Sequence, residues 1–211
     1  MESGLVNLDS GVTQRNGVRA KSEIVMPILQ REIDIFPENL FDLAAETQEE
    51  THWWAVYTRS RQEKELVRAL LKLEIPFYCP IIPHKYRSPA GRMRTSFLPL
   101  FSNYLFMYSD GYGRYHALKS NLISKTILVD DGLQLSHDLR QIQRLVELNI
   151  PLNLEARLQP GTRVRIKSGP MAGIEGTILK RDAHSYLQVA VNFLQQGASV
   201  KLEDFEVERI D

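Results

Sequence analysis

Few residues able to do covalent chemistry occur in this 211-residue chain, and they stand far apart. The one cysteine, Cys79, has only His84 nearby, and a cysteine on such a proline-rich segment more often serves as buried packing. No two of the five histidines stand at the spacing of metal ligands. The Gly111-Tyr112-Gly113 segment lacks the third glycine of a dinucleotide-binding loop. We therefore expect no enzyme activity, no cofactor and no metal site.

The chemistry that the chain does offer is binding by charges and aromatic rings. The net charge is zero, but residues 1–58 hold four basic and ten acidic side chains, whereas residues 59–94 hold nine basic and three acidic ones. Such a basic block attracts phosphates, although overall neutrality argues against strong autonomous binding to nucleic acid. The alternative interpretation is that these basic residues only form a solvated helix face followed by an exposed hairpin.

Composition indicates a soluble globular protein of one or two domains, with 43% apolar and 25% charged residues. No stretch approaches the roughly 20 apolar residues that span a bilayer, and the first 20 residues lack the apolar block of a secretory signal. A single cysteine makes no internal disulfide. We expect a cytoplasmic protein.

Alternating strands and helices are predicted between residues 51 and 150. Aromatic residues favour a strand at 53–58, and Ser60 is the expected cap of a helix that ends before Pro76. The clearest helix is predicted to begin at Ser136, because apolar residues follow at helical spacing. That stripe consists of Leu139, Ile142, Leu145, Val146 and Leu148. Further elements are predicted at 77–86 (an edge strand interrupted by Pro80 and Pro83), 95–100, 103–108, 112–120 and 126–129.

A hairpin turn is predicted at residues 88–91, with Arg87, Arg92 and Arg94 around its tip. Residues 1–50 carry most of the acidic excess without sustained periodicity, so we expect an acidic N-terminal extension that is partly disordered. The apolar cluster at residues 35–41 is a candidate for docking on the folded body or on a partner.

The C-terminal segment predicts two short strands around a glycine-rich turn. Val164 and Ile166 alternate with basic residues, and Gly169, Gly173 and Gly176 allow the chain to reverse tightly. The segment from Pro160 to Leu179 resembles the KOW motif, and residues 192–202 are similar to the closing strands of that small SH3-like barrel. An ordinary SH3-like barrel without a defined partner is the alternative.

The order of these elements predicts an α+β fold, in which an antiparallel sheet with flanking helices precedes a small all-β barrel. We expect the N-terminal extension at residues 1–50, the α+β domain at 51–150, a linker at 151–159 and the KOW barrel at 160–211.

This architecture resembles the NusG family of transcription factors, in which an NGN domain precedes a KOW barrel. Residues 98–107, LPLFSNYLFM, are similar to the family segment that contains Phe-Pro-Gly-Tyr or Phe-Pro-Asn-Tyr, with Ser102 in place of the usual proline. The Asn103-Tyr104-Leu105-Phe106 form is closest to the specialised RfaH-like antitermination branch. The resemblance covers residues 53–211.

The resemblance implies a transcription elongation and antitermination regulator that docks on the clamp helices of bacterial RNA polymerase and suppresses pausing or termination. Tyr104 and Phe106 lie two residues apart on one predicted strand face and match the family's docking aromatics. Tyr57 and Phe101 extend that predicted patch, and His116 falls near a second polymerase contact. By composition alone, the aromatic rings equally suit the core, and His116 equally suits a plain surface position.

The resemblance also implies contacts to the non-template DNA strand, with Arg59, Arg61, Arg92 and Arg94 as candidates. Surface charges without a ligand are the alternative. KOW barrels of the family recruit the Rho termination factor or a small-subunit ribosomal protein, and Ile174, Phe193 and Leu194 are candidates for that surface or for barrel core. We expect a monomer. A KOW-type RNA-binding or ribosome-binding protein acting in translation is the alternative function, but such proteins lack the NGN-like segment and are usually strongly basic.

Overall fold

The computed structural model describes residues 31–46, 50–203 and 205–210, and it contains two antiparallel sheets and a separate two-stranded ribbon. In chain order the strands are β1 (Ile35–Phe36), β2 (His52–Thr58), β3 (Phe77–Tyr78), β4 (Ile81–Arg87), β5 (Met93–Pro99), β6 (Tyr104–Ser109), β7 (Ile123–Leu128), β8 (Asn153–Glu155), β9 (Thr162–Ile166), β10 (Glu175–Arg181), β11 (His184–Val191), β12 (Gln196–Leu202) and β13 (Val207–Arg209). The helices are α1 (Leu40–Leu43), α2 (Glu63–Lys72), α3 (Gly111–Leu118) and α4 (Gly132–Glu147), with a short 3-10 turn at Asn192–Leu194.

The first sheet has the strand order β1-β3-β6-β2-β7, and its two faces are covered by different helices. Because side chains alternate along a strand, Ala55 and Phe106 point to one face and Val56 and Leu105 to the other. Apolar residues of α4 pack on the first of these faces, which we call the α4 face. Residues of α2, with Ala117 of α3, pack on the opposite face.

The apolar stripe predicted for α4 is buried from Leu139 to Val146, but both long helices begin at other residues than predicted. Ser60 does not cap α2, which begins at Glu63 after Gln62. The α4 helix begins four residues before Ser136, because the Asp131 side chain accepts a hydrogen bond from the Gln134 backbone N–H at 2.8 Å. Ser136 instead accepts a hydrogen bond from the indole N–H of Trp53, at 2.8 Å inside the core.

The predicted proline-interrupted strand is divided at Pro80 into β3, which joins the first sheet, and β4, which pairs only with β5. The predicted turn at residues 88–91 joins the two strands of this ribbon, and the Ser88 N–H donates to the Arg92 carbonyl at 2.8 Å. Upstream, residues 35–43 provide β1 and α1, and Leu40 and Phe41 are buried in the core. Residues 1–30 and 47–49 of the predicted N-terminal extension lie outside the described residues.

The second sheet has six strands in the order β13-β9-β10-β11-β12-β8. The predicted glycine-rich turn lies between β9 and β10: Gly169 and Gly173 have φ values of +82° and +79°, and a Cβ at Gly176 would lie 2.4 Å from the Gln188 carbonyl oxygen. The β8 strand lies inside the segment predicted to be a linker and pairs with β12. Apolar residues of this sheet share one core cluster with α4.

Polar contacts also join α4 to the second sheet. The Asp138 carboxylate accepts hydrogen bonds from the backbone N–H and the side-chain amide of Asn192, at 2.8 and 3.0 Å. The Arg144 guanidinium donates to the Ala172 carbonyl. Among the described residues, no helix combines the length and the apolar character needed to cross a membrane.

Candidate functional site

A partly exposed pair of tyrosines lies on the α4 face, at the end that α4 leaves uncovered. Tyr57 of β2 and Tyr104 of β6 are directly opposite in the strand register, and their ring centroids are 5.0 Å apart in an edge-to-face arrangement. The Tyr57 side chain is 38% exposed, and Tyr104 is partly buried. Lys125 of β7 stands opposite Tyr57 and is exposed. We call these three residues the tyrosine patch.

A buried carboxylate holds the turn that leads into Tyr104. Asn103 has a φ of +65°, a left-handed conformation that asparagine tolerates better than most residues. Its backbone N–H donates to Oε1 of Glu63 at 2.7 Å, and its carbonyl accepts from the Thr58 N–H at 2.8 Å. Glu63, at the start of α2, is 8% exposed. Glu63 was not predicted as a functional residue, because its only signal in the sequence is a carboxylate near the start of a predicted helix.

Direct docking by Phe101 and Phe106 is contradicted by the structure, because both side chains are fully buried. Phe106 shares the face of Tyr104, as predicted, but it lies two residues further along β6, where the strand is covered by the core that contains α4. Phe101 packs edge-to-face against Phe106, with ring centroids 6.3 Å apart. Tyr104 packs against the core cluster to which both phenylalanine rings belong.

His116 lies on α3 and is not brought together with the tyrosine patch. The α3 helix packs on the face opposite to α4, through the buried Ala117. The His116 ring lies tilted against the Tyr112 ring, with centroids 4.3 Å apart and an interplanar angle of 53°, and it is partly buried. A contact made by His116 therefore belongs to a second surface.

The four predicted DNA-contacting arginines are all exposed and lie in two places. Arg59 and Arg61 follow the end of β2, close in sequence to the tyrosine patch. Arg92 and Arg94 lie on the ribbon, just after its turn. None of the four forms an ion pair within the described part of the chain.

The predicted partner-binding residues near the second sheet divide into one buried residue and two residues at the surface. Ile174 is fully buried and packs in the core, so its prediction as a contact residue is wrong. Phe193 is 37% exposed on the 3-10 turn, and Leu194 beside it is partly buried. These two residues remain available to a partner.

The environment of Cys79 argues against nucleophilic chemistry. The thiol is fully buried, and this burial raises the pKa of Cys79 far above its usual range, which disfavours the thiolate. His84 is exposed on the ribbon and stacks with Tyr86 instead.

Comparison with known proteins supports the family indicated by the architecture. Residues 51–155, about half of the chain, match the NusG family, which is described as transcription termination factor nusG. No curated protein is significantly similar to the chain. Factors of the NusG family bind RNA polymerase and are not enzymes. Residues 51–155, which carry the tyrosine patch, therefore form a domain of the NusG family of transcription elongation and termination factors.

Proposed function

We propose that this chain regulates transcription elongation and antitermination by docking on the clamp helices of bacterial RNA polymerase through Tyr57 and Tyr104. The observation that carries this proposal is an aromatic pair on adjacent strands of a NusG-family domain, in which Tyr57 is exposed and Tyr104 is partly buried. The clamp helices are an exposed coiled coil with an apolar tip. Rings held by paired strands offer apolar area while losing little conformational entropy on binding.

The factor acts by biasing the conformations of polymerase, and no bond is made or broken. A protein that binds the closed clamp better than the open one shifts the population toward the closed state, which suppresses pausing or termination. This action takes place in the cytoplasm, with one copy of the factor on each polymerase. His116, on the other side of the sheet, provides a second polymerase contact.

DNA contacts accompany this docking. Arg59 and Arg61 are exposed just beyond Tyr57, and Arg92 and Arg94 are exposed on the ribbon. Guanidinium groups suit phosphate oxygens. Their contribution to binding weakens at higher salt concentration, because the release of counterions from the DNA then gains less free energy. The non-template strand is the proposed ligand of Arg59 and Arg61.

The second sheet serves to recruit accessory factors. In this proposal residues 51–150 are the NGN domain, residues 151–159 are the linker and residues 160–211 are a KOW barrel of the RfaH-like branch. Phe193 and Leu194 lie at its surface and are the candidate contacts for Rho or for a small-subunit ribosomal protein.

A binding titration with purified bacterial RNA polymerase tests the docking. Replacing both tyrosines (Tyr57→Ala with Tyr104→Ala) removes the aromatic anchors, and we expect affinity to fall by roughly 30-fold or more, since hot-spot residues contribute about 2 kcal/mol. Phe193→Ala is the matched control, because its exposure of 37% is close to the 38% of Tyr57.

The control variant should bind polymerase like the unchanged protein. Circular dichroism and thermal melting should show that all variants remain folded. Unchanged polymerase binding by the folded double-tyrosine variant would refute the docking assignment.

A further inference from the structure

The outer part of the ribbon is a concentrated source of positive charge. Residues 84–95 contain four basic side chains and no acidic one, namely Lys85, Arg87, Arg92 and Arg94. None of them has an ion-pair partner among residues 31–46, 50–203 and 205–210. Lys85, Arg87 and Arg94 lie on three successive rungs, and Arg92 lies at the turn. Unpaired cations so placed repel one another, so this arrangement is not explained by ribbon stability.

Both faces of the ribbon are open to solvent at this end. The four consecutive residues from His84 to Arg87 are all exposed, although side chains alternate between the two faces along a strand. At the other end, Ile81 is fully buried and Phe97 packs against the core, so the ribbon is anchored there. The charged end therefore projects from the body of the protein.

The strand register distributes the cations over both faces. Arg94 lies opposite Tyr86, so these two residues share one face. Arg87 lies opposite Met93 and Lys85 opposite Thr95, and these rungs belong to the other face. A single strand of nucleic acid would contact the cations on only one of these faces. A duplex groove has a phosphate backbone on each side, so a ribbon inside the groove contacts phosphates with both faces.

An arginine on a strand of the second sheet, by contrast, is neutralised by carboxylates. Arg165 of β9 lies opposite Glu175 of β10 and Glu208 of β13, and it donates hydrogen bonds to both carboxylates, at distances from 2.6 to 3.2 Å. Protection of an exposed ribbon against edge pairing requires charge, but it does not require that all charges have one sign. Because all the charges at the outer end of the ribbon are positive, they indicate an anionic ligand.

We infer that the ribbon inserts into the major groove of duplex DNA, with Arg94 reaching one phosphate backbone and Lys85 with Arg87 reaching the other. The major groove of B-form DNA is about 12 Å wide and admits a two-stranded ribbon. Each ribbon strand of seven residues extends about 23 Å, at roughly 3.3 Å per residue, which is long enough to enter the groove. The deep, narrow major groove of A-form RNA does not admit such a ribbon. This inference rests on the DNA contact that the proposed function assigns to the ribbon.

The test uses the full chain and three labelled probes: a DNA duplex, one of its strands alone, and an RNA duplex of the same sequence. Fluorescence anisotropy measures affinity over a series of salt concentrations. We expect the DNA duplex to bind more tightly than either other probe. Arg94→Gln and the paired change Lys85→Gln with Arg87→Gln should each weaken duplex binding, and the slope of log affinity against log salt should decrease by about 0.9 for each phosphate contact removed.

Arg165→Gln is the matched control, since it removes a strand arginine that carboxylates already neutralise, and it should bind the duplex like the unchanged protein. Three results would overturn the inference: equal or tighter binding of the single strand, a loss confined to the variants of one face, or no loss in any ribbon variant. Titration of the same variants with polymerase in the absence of DNA separates this inference from docking. Ribbon variants should keep polymerase affinity, and the double-tyrosine variant should keep duplex affinity.

Discussion

Two edge-to-face aromatic pairs lie on the α4 side of the first sheet, and they have opposite environments. Tyr57 and Tyr104 are accessible, with ring centroids 5.0 Å apart, whereas Phe101 and Phe106, at 6.3 Å, are fully buried. Tyr104 and Phe106 belong to the same strand and the same face, two residues apart. The extent of the covering core therefore decides which ring can contact a partner, and neither the residue type nor the strand period does.

The largest expected effect comes from breaking the buried pair. Phe106→Ala should lower the free energy of unfolding by about 3–5 kcal/mol, because a large ring is lost from a fully packed core. Chemical denaturation measures this change. Tyr104→Ala should cost clearly less, since its ring is only partly buried. Equal losses in the two variants would show that the proposed difference between the pairs is wrong.

The same contrast between buried and exposed groups applies to charges. Glu155 is 7% exposed, and its carboxylate oxygens accept hydrogen bonds from both terminal nitrogens of Arg181, at 2.8 and 2.9 Å. Arg181→Gln removes the cation and leaves a buried carboxylate, which should cost about 2 kcal/mol of unfolding free energy. The exposed pair of Arg165 and Glu208 should contribute much less, because solvent screens both charges.

The Glu155 pair also predicts a dependence on pH. Hydrogen bonds from Arg181 lower the pKa of Glu155 below its usual value, and the unfolded chain has the higher pKa. Its stabilising contribution is therefore complete above the unfolded pKa of about 4.3 and is lost as pH falls through the folded pKa. Denaturation series between neutral and acidic pH should show a smaller acid-induced loss for Glu155→Gln. An identical acid-induced loss would contradict this role.

Glu63 tests whether the tyrosine patch depends on its turn. Glu63→Ala leaves the Asn103 N–H without its acceptor, which should cost about 1–2 kcal/mol of unfolding free energy and weaken polymerase binding several-fold. Glu63→Gln keeps an acceptor oxygen, so it should retain most of the stability and most of the polymerase affinity. If Glu63→Ala changes stability but not binding, the turn does not position Tyr104 for docking.

The smallest expected effect separates the ring of Tyr104 from its hydroxyl. Tyr104→Phe keeps the apolar ring, so stability should change by less than about 0.5 kcal/mol and polymerase affinity by less than roughly threefold. A loss as large as that of Tyr104→Ala would show that the hydroxyl, and not the apolar ring, carries the contact.

Much of the local structure follows from sequence pattern alone. Aromatic residues predicted β2, the turn residues predicted the ribbon, and helical spacing predicted the buried stripe of α4. The start of α4 was misplaced because the Asp131 cap lies eight residues before Leu139, the first residue of the predicted apolar stripe. The strand β8 was missed because three residues are too few to show a period, and its pairing with β12 is a long-range contact.

The site was only partly predictable. A period of two residues places Tyr104 and Phe106 on one face, but it carries no information on how far the covering core extends along that face. The same limit applies to Ile174, which the pattern could not separate from the exposed Phe193. Similarly, the sequence shows the basic block, but only the register shows that Arg165 is neutralised while Arg94 is not.

The central claim is that the accessible tyrosine pair contacts the polymerase clamp helices. The most direct measurement places the photocrosslinker p-benzoylphenylalanine at position 104, with position 193 as an exposed control outside the patch, and maps the crosslinks formed with purified bacterial RNA polymerase. We predict that position 104 crosslinks to the clamp helices of the largest subunit and that position 193 does not. Crosslinks from position 104 to any other part of the enzyme, or none from a folded and polymerase-bound protein, would contradict the claim.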